Sequence, residues 1–306
     1  MKHEAWRHDP GTYGSTQPVA ARFVDLDTRR HVNNIAVYGL HHEARQRWLM
    51  AAGGVAVWPD SSLLLKPRSS RTECWQACHH PAPTVAPLRL LQVSPEGLTL
   101  AGGLFQGDVC VGMQQTRLAA WAPDLSTTEA LPAGWLGDLA SRIQPAGDLA
   151  ASHRPAGTAQ RQHYPVGATL ASRYGDFDAD GGTSEAAVMR GIEQARAALL
   201  KAAFAAAGGQ PERDWVSLVV ARIDLHWLHH RGPPACWALA AAVSHTGRSS
   251  VVLRVAMFDG PALQATADCV MVYTDPAGPP GAAPLPPALR AALQSFHWLT
   301  GDTPCR

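Results

Sequence analysis

Apolar and polar positions fall into two similar runs along the chain. In the first, Ile35, Tyr38, Leu40, Trp48 and Leu49 recur near helical spacing while Arg45, Gln46 and Arg47 form a polar side. This predicts an amphipathic helix over about 35–52, stopped by Gly53 and Gly54, with Asn33 or Asn34 placed to cap its first turn. A short apolar stretch, 18–25, precedes it as a first strand. Runs of strand character follow at 72–78, 87–93, 98–105 and 109–121, separated by Pro, Gly and Asp.

The second run repeats the order: a helix over about 185–207 ending at Gly208 and Gly209, then strands near 216–228, 235–243, 250–257 and 262–273. In the last of these, Gln264, Thr266 and Asp268 alternate with Leu263, Ala265 and Ala267, the period of a half-buried strand. A shift of 151 positions carries Asp25, Asp27, Ala44 and Arg45 onto Asp176, Asp178, Ala195 and Arg196. Over 21–52 it matches 10 of 32 residues. Continued without a gap, it pairs Arg71 with Arg222, His79 with His230, Leu88 with Leu239 and Asp108 with Asp259. The halves therefore read as copies of one fold. The expected organisation is an extension at 1–17, a domain at 18–125, a linker at 126–164 with a short helix near 135–143, a second domain at 165–275, and a Pro-rich tail with a terminal helix at 276–306.

Composition narrows the function classes. Twenty-six basic against 25 acidic residues leave no broad charge for nucleic acid or an anionic membrane. The start of the chain lacks the apolar run of a signal peptide, and no later stretch reaches the roughly 20 apolar residues that span a bilayer, so a cytoplasmic address is expected. Cys74, Cys78, Cys110, Cys236, Cys269 and Cys305 are scattered, which favours reduced thiols over disulfides or metal. The adjacent histidines His41–His42, His79–His80 and His229–His230 lack carboxylates at ligand spacing, so neither metal nor cofactor is expected. Gly-x-Ser-x-Gly and phosphate-binding glycine loops are also missing.

The stretch with the most chemistry is Asp25-x-Asp27 followed by His31-Val32-Asn33-Asn34, Tyr38, Glu43, Ala44 and Arg45. From residue type alone, the two carboxylates are either an Asx-turn pair holding a loop or acid–base groups. The pattern resembles the hotdog-fold thioesterases, in particular the 4-hydroxybenzoyl-CoA and acyl-CoA thioesterase group, with Arg30 in place of the usual Gly. The second copy keeps Asp176, Asp178, Gly181, Glu193, Ala195 and Arg196 but has Gly182-Thr183-Ser184-Glu185 in place of His-Val-Asn-Asn.

The resemblance implies an α+β tandem (double) hotdog, each copy a long helix wrapped by an antiparallel sheet. It implies a thioesterase acting on acyl-CoA or acyl carrier protein, and the tandem unit could itself form a homo-oligomer. Asp27 and Asp178 would be the catalytic carboxylates, as base or nucleophile, with His31 beside the first. Substrate contacts and an oxyanion site would come from Val32, Asn33 and Asn34 in one copy and Gly182, Thr183 and Ser184 in the other, at the helix N-termini. Arg29 and Arg30 could meet the phosphates of CoA or of a carrier's prosthetic group. The alternative is a non-catalytic acyl-thioester-binding or assembly protein whose loops have degenerated.

Overall fold

A computed structural model describes residues 4–53, 64–144, 160–209, 217–275, 277–278 and 281–298. Residues 145–159 of the linker, Val216, Cys305 and part of the tail lie outside these residues. Two compact units emerge: Met1–His153 with Asp178–Gly182 and His229–Arg231, and Arg154–Phe177 with Thr183–Leu228 and Gly232–Arg306.

In the first unit the strands are β1 (Ser15–Val19), β2 (Leu64–Cys74), β3 (Thr84–Ser94), β4 (Gly97–Gln106) and β5 (Val109–Trp121). They form an antiparallel sheet in the order β1-β3-β4-β5-β2, with the short β6 (Thr128–Glu129) on β5. Helix α1 (Asn34–Gly53) lies on this sheet. Val37, Leu40, Ala44, Trp48 and Leu49 from the helix share a core with Leu88, Leu90, Leu100, Leu104 and Leu118 from the strands. Each fully buried Leu contributes about 1.5–3 kcal/mol, so this stripe holds the helix in place. The short α2 (Ala133–Ala140) adds Leu139 to the same core.

The first strand begins at Ser15, earlier than the apolar pattern indicates, because pairing of Ser15–Val19 with β3 decides it rather than local composition. Residues upstream also join the fold. Tyr13 is buried on the other face of the sheet with Phe105, Cys110 and Met113, and Arg89 lies 4.8 Å above the Trp6 ring.

The second unit repeats the plan. Its strands are β7 (Val166–Ala171), β8 (Leu218–Trp227), β9 (Cys236–Thr246), β10 (Ser250–Asp259) and β11 (Ala262–Tyr273), ordered β8-β11-β10-β9-β7. Helix α3 (Glu185–Ala206) packs on β7, β9 and β10, and the terminal α4 (Pro287–Gln294) packs on α3 and β9. The Met257 thioether fills the space beside Gly191 of α3, where a Cβ would require it to move. Tyr164, Phe258 and Trp298 form the counterpart of the Tyr13 cluster.

The repeat register is not gapless. Through the loop and helix it is 151 positions, but β4 and β5 turn at Gly107 and β10 and β11 at Gly260, both with positive φ (61° and 54°), 153 positions apart. The row Leu88–Gly102–Gln114–Thr72 accordingly corresponds to Ala241–Val255–Ala267–Leu225. The sheet pairings predicted above, Leu88 with Leu239 and Asp108 with Asp259 among them, are therefore each two residues out. A slip of two keeps inward-facing residues inward, which is why the sequence pattern tolerates either register.

Candidate active site

The two Asp-x-Asp loops are built alike. Leu26 bridges Val32 and Phe177 bridges Thr183, so each loop is a tight antiparallel excursion ending at a helix. The Asp27 N–H donates to the His31 carbonyl at 2.8 Å and the Asp178 N–H to the Gly182 carbonyl at 2.8 Å. Asp27 Oδ1 accepts the N–H groups of Arg29 (2.8 Å) and His31 (3.0 Å); Asp178 Oδ1 accepts those of Asp180 (3.0 Å) and Gly182 (2.9 Å). Both turns pass through the left-handed region, at Arg30 (φ 61°) and Gly181 (φ 76°). Glycine is strain-free there and arginine is not.

The first carboxylate of each pair is a brace. Arg22 binds both oxygens of Asp25, through its backbone N–H (2.7 Å) and its guanidinium (2.7 Å), and this pairing holds the Asp25 carboxyl below the usual carboxylate range. Asp176 is bound in the same way by the Arg173 N–H (2.9 Å), while Arg190 reaches its other oxygen at 2.5 Å. Arg190 stands at the position of Gly39. In the first unit that position is open, and a groove of about 690 Å³ runs between β1 and the outer side of α1, past Arg22, Asp25, Gly39, Leu40, Glu43 and Arg47.

The second carboxylates differ. Lys66 Nζ lies 2.6 Å from Asp178 Oδ2 and 2.7 Å from Asp180 Oδ2, with its side chain only 7% exposed. Asp178 is thus engaged on both oxygens. Asp27, half-buried, takes both of its hydrogen bonds on Oδ1, and Oδ2 has no partner among the described residues. Lys66 was missed in the sequence. Its signal is a lone cation ending the apolar run Leu63-Leu64-Leu65, which asks for a buried carboxylate.

The backbone donors sort the remaining candidates. The N–H of His31 is spent on Asp27, that of Val32 on the Cys78 carbonyl (2.8 Å) and that of Asn33 on the Asp25 carbonyl (2.8 Å). Asn33 is the cap, its Oδ1 accepting from Ile35 N–H at 2.8 Å. Asn34, the first residue of α1, keeps its N–H without a partner among the described residues, and its Oδ1 is buried and unpaired. In the other loop the Gly182 N–H goes to Asp178 and the Ser184 N–H to the Asp176 carbonyl. Ser184 Oγ caps α3 by accepting from Ala187 (3.2 Å), and Thr183 is buried.

His31 lies edge-on to His79, with ring centroids 5.3 Å apart. Burial lowers its pKa below the ordinary value, with Asp27 pulling the other way and His79 and Arg29 adding to the lowering. Further along the helix, Arg45 is buried and donates from Nη1 to Gln114 Oε1 (2.8 Å) and Thr116 Oγ1 (3.2 Å). His41 is also fully buried. Its pKa falls to about 3, through burial first and the Arg45 charge second, so the ring is neutral.

No protein-family model and no curated protein sequence matches the chain. Solved structures do match in fold, and they span both units. A protein from Lactobacillus plantarum assigned as an oleoyl thioesterase is similar over 86% of this chain and 96% of its own, with TM-score 0.68 and 7% identity. A 12:0-ACP thioesterase from Umbellularia californica matches over 85% and 94%, with TM-score 0.68 and 10% identity. An acyl-ACP thioesterase from Bacteroides thetaiotaomicron matches over 84% and 97%, with TM-score 0.62 and 12% identity. The chain is a double hotdog, the fold of these thioesterases. Among the described residues no helix is long and apolar enough to cross a membrane.

Proposed function

We propose that the protein hydrolyses an acyl thioester, carried by CoA or by an acyl carrier protein, at the Asp27 loop. The observation that carries this reading is the asymmetry of the two carboxylates: Oδ2 of Asp27 is open while Oδ2 of Asp178 is held by Lys66. Asp27 takes a proton from water as that water attacks the thioester carbon. The carbonyl oxygen gains charge against the Asn34 N–H at the positive end of the α1 dipole. When the C–S bond breaks, the Asp27 proton passes to the departing thiolate. His31, beside Asp27 in the loop, orders the water. The double-hotdog fold shared with acyl-ACP thioesterases supports the substrate class, and the second loop serves as structure.

The test is thiol release from short, long and aromatic acyl-CoAs and from acyl carrier protein. Asp27→Asn should lower turnover by about 10² or more, the size of a lost general base. A folded parent that releases thiol from none of these substrates would favour a binding or assembly protein.

A further inference from the structure

The helix-facing side of the sheet differs between the units in a way the catalytic loop does not explain. In the first unit Gln114, Thr72, Thr116 and Ser70 occupy adjacent positions on β5 and β2, all buried, and Arg45 contacts the first and third of them from α1. The corresponding residues of the second unit are Ala267, Leu225, Cys269 and Ile223, buried and apolar. The helices follow suit, with His41 at the position of Ile192, both buried. Arg196, the counterpart of Arg45, is buried beside Cys269 in the second unit, so a guanidinium is common to both copies and the polar groups added in the first are Gln114, Thr72, Thr116, Ser70 and His41.

Part of this polarity is satisfied internally. Gln114 Nε2 donates to Thr72 Oγ1 (3.0 Å), and Thr116 Oγ1 donates to Gln114 Oε1 (3.0 Å). His41 Nε2 and Ser70 Oγ are buried with no hydrogen-bond partner among the described residues. Unsatisfied buried groups of this kind oppose folding, and an isoleucine at either place avoids the cost, as the second copy demonstrates. His41 stands seven residues into α1 from Asn34, about 10 Å along the axis at 1.5 Å per residue.

We propose that the acyl group lies between α1 and the β5–β2 side of the sheet in the first unit, and that it carries a hydroxyl or carbonyl group remote from the thioester which His41 and Ser70 bind. The substrate class is thus an oxygenated acyl chain rather than a plain alkyl one. This rests on the assignment of the thioester to the Asp27 loop. Because binding can be read without turnover, the two claims fail separately.

The probes are the thioethers ω-hydroxyoctyl-CoA and octyl-CoA, which have no hydrolysable bond, titrated calorimetrically into the parent, Asp27→Asn, His41→Ile and Ser70→Ala proteins. The parent and Asp27→Asn should bind the hydroxylated thioether about tenfold or more tightly than the plain one, the scale at which a site built for a hydroxyl rejects its absence. His41→Ile should lose that preference while its melting temperature rises, and Ser70→Ala should weaken it. Equal affinities in the parent, an unchanged preference in both variants, or no binding of either thioether would overturn the proposal. Loss of turnover in Asp27→Asn with selectivity intact supports both claims. Selectivity with no turnover in the parent supports this one alone.

Discussion

Lys66 Nζ sits 2.6 Å from Asp178 Oδ2 and 2.7 Å from Asp180 Oδ2, so one buried ammonium neutralises the carboxylate that in the other loop stays open. A carboxylate held on both oxygens, by backbone N–H groups on one and an ammonium on the other, leaves neither oxygen clear to meet a substrate water. Asp178→Asn should therefore keep most of the parent turnover. It should also lower stability by about 2–3 kcal/mol, since Lys66 is left with only the more exposed Asp180. Turnover and urea midpoints measured together check this. A loss of activity equal to that of Asp27→Asn would show that turnover needs both loops and overturn the structural role given to the second.

Arg30 holds φ at 61° where its counterpart is Gly181 at 76°. An L-residue with a Cβ costs roughly 1–2 kcal/mol in that region, part of which glycine returns as unfolded-state entropy. Arg30→Gly should raise stability by about 0.5–1 kcal/mol, read as a shift in urea midpoint. If Arg30 also meets a phosphate of the substrate, KM rises while kcat holds. A destabilised variant would show that the guanidinium has a folding role that its exposed position does not suggest.

His41 makes stability depend on pH in one direction. Its folded pKa of about 3 lies below the ordinary 6.5, so between these values the unfolded chain binds a proton that the native state refuses. Its contribution is complete above about pH 6.5 and is lost as pH falls towards 3, by up to about 1.4 kcal/mol per pH unit. The stability gap between His41→Ile and the parent should widen steadily from about pH 7 to about pH 4. Taking the difference cancels the carboxylates common to both, the braced Asp25 among them. A gap independent of pH would mean that His41 is not held neutral.

Legibility in the sequence followed the range of the interaction. The helices were expected at about 35–52 and 185–207 and run Asn34–Gly53 and Glu185–Ala206, and β5 and β11 keep their expected limits. The Asn33 and Ser184 caps and the Asx turns of Asp27 and Asp178 were legible because each links groups within four residues of one another. In the first loop, Val32, Asn33 and Asn34 were the oxyanion candidates; the N–H of Val32 belongs to the Cys78 carbonyl, a partner that no local pattern reveals, and that of Asn33 to the Asp25 carbonyl.

What the chain alone determined is the tandem plan, the helix spans and their caps, since periodicity and short-range capping are properties of contiguous residues; the helix faces were legible only in part, because Arg45, expected on the polar side, is buried against Gln114 and Thr116. Only the tertiary structure decided that strands β2–β5 repeat at 153 positions rather than 151, that Lys66 closes one carboxylate, and that Gln114, Thr72, Thr116 and Ser70 share one face of the sheet opposite His41 and Arg45. Those facts depend on which strand lies beside which. A slip of two residues preserves the inside–outside alternation that a sequence displays while exchanging every cross-strand neighbour, and it is the neighbours that fix the charge and hydrogen bonding of the site.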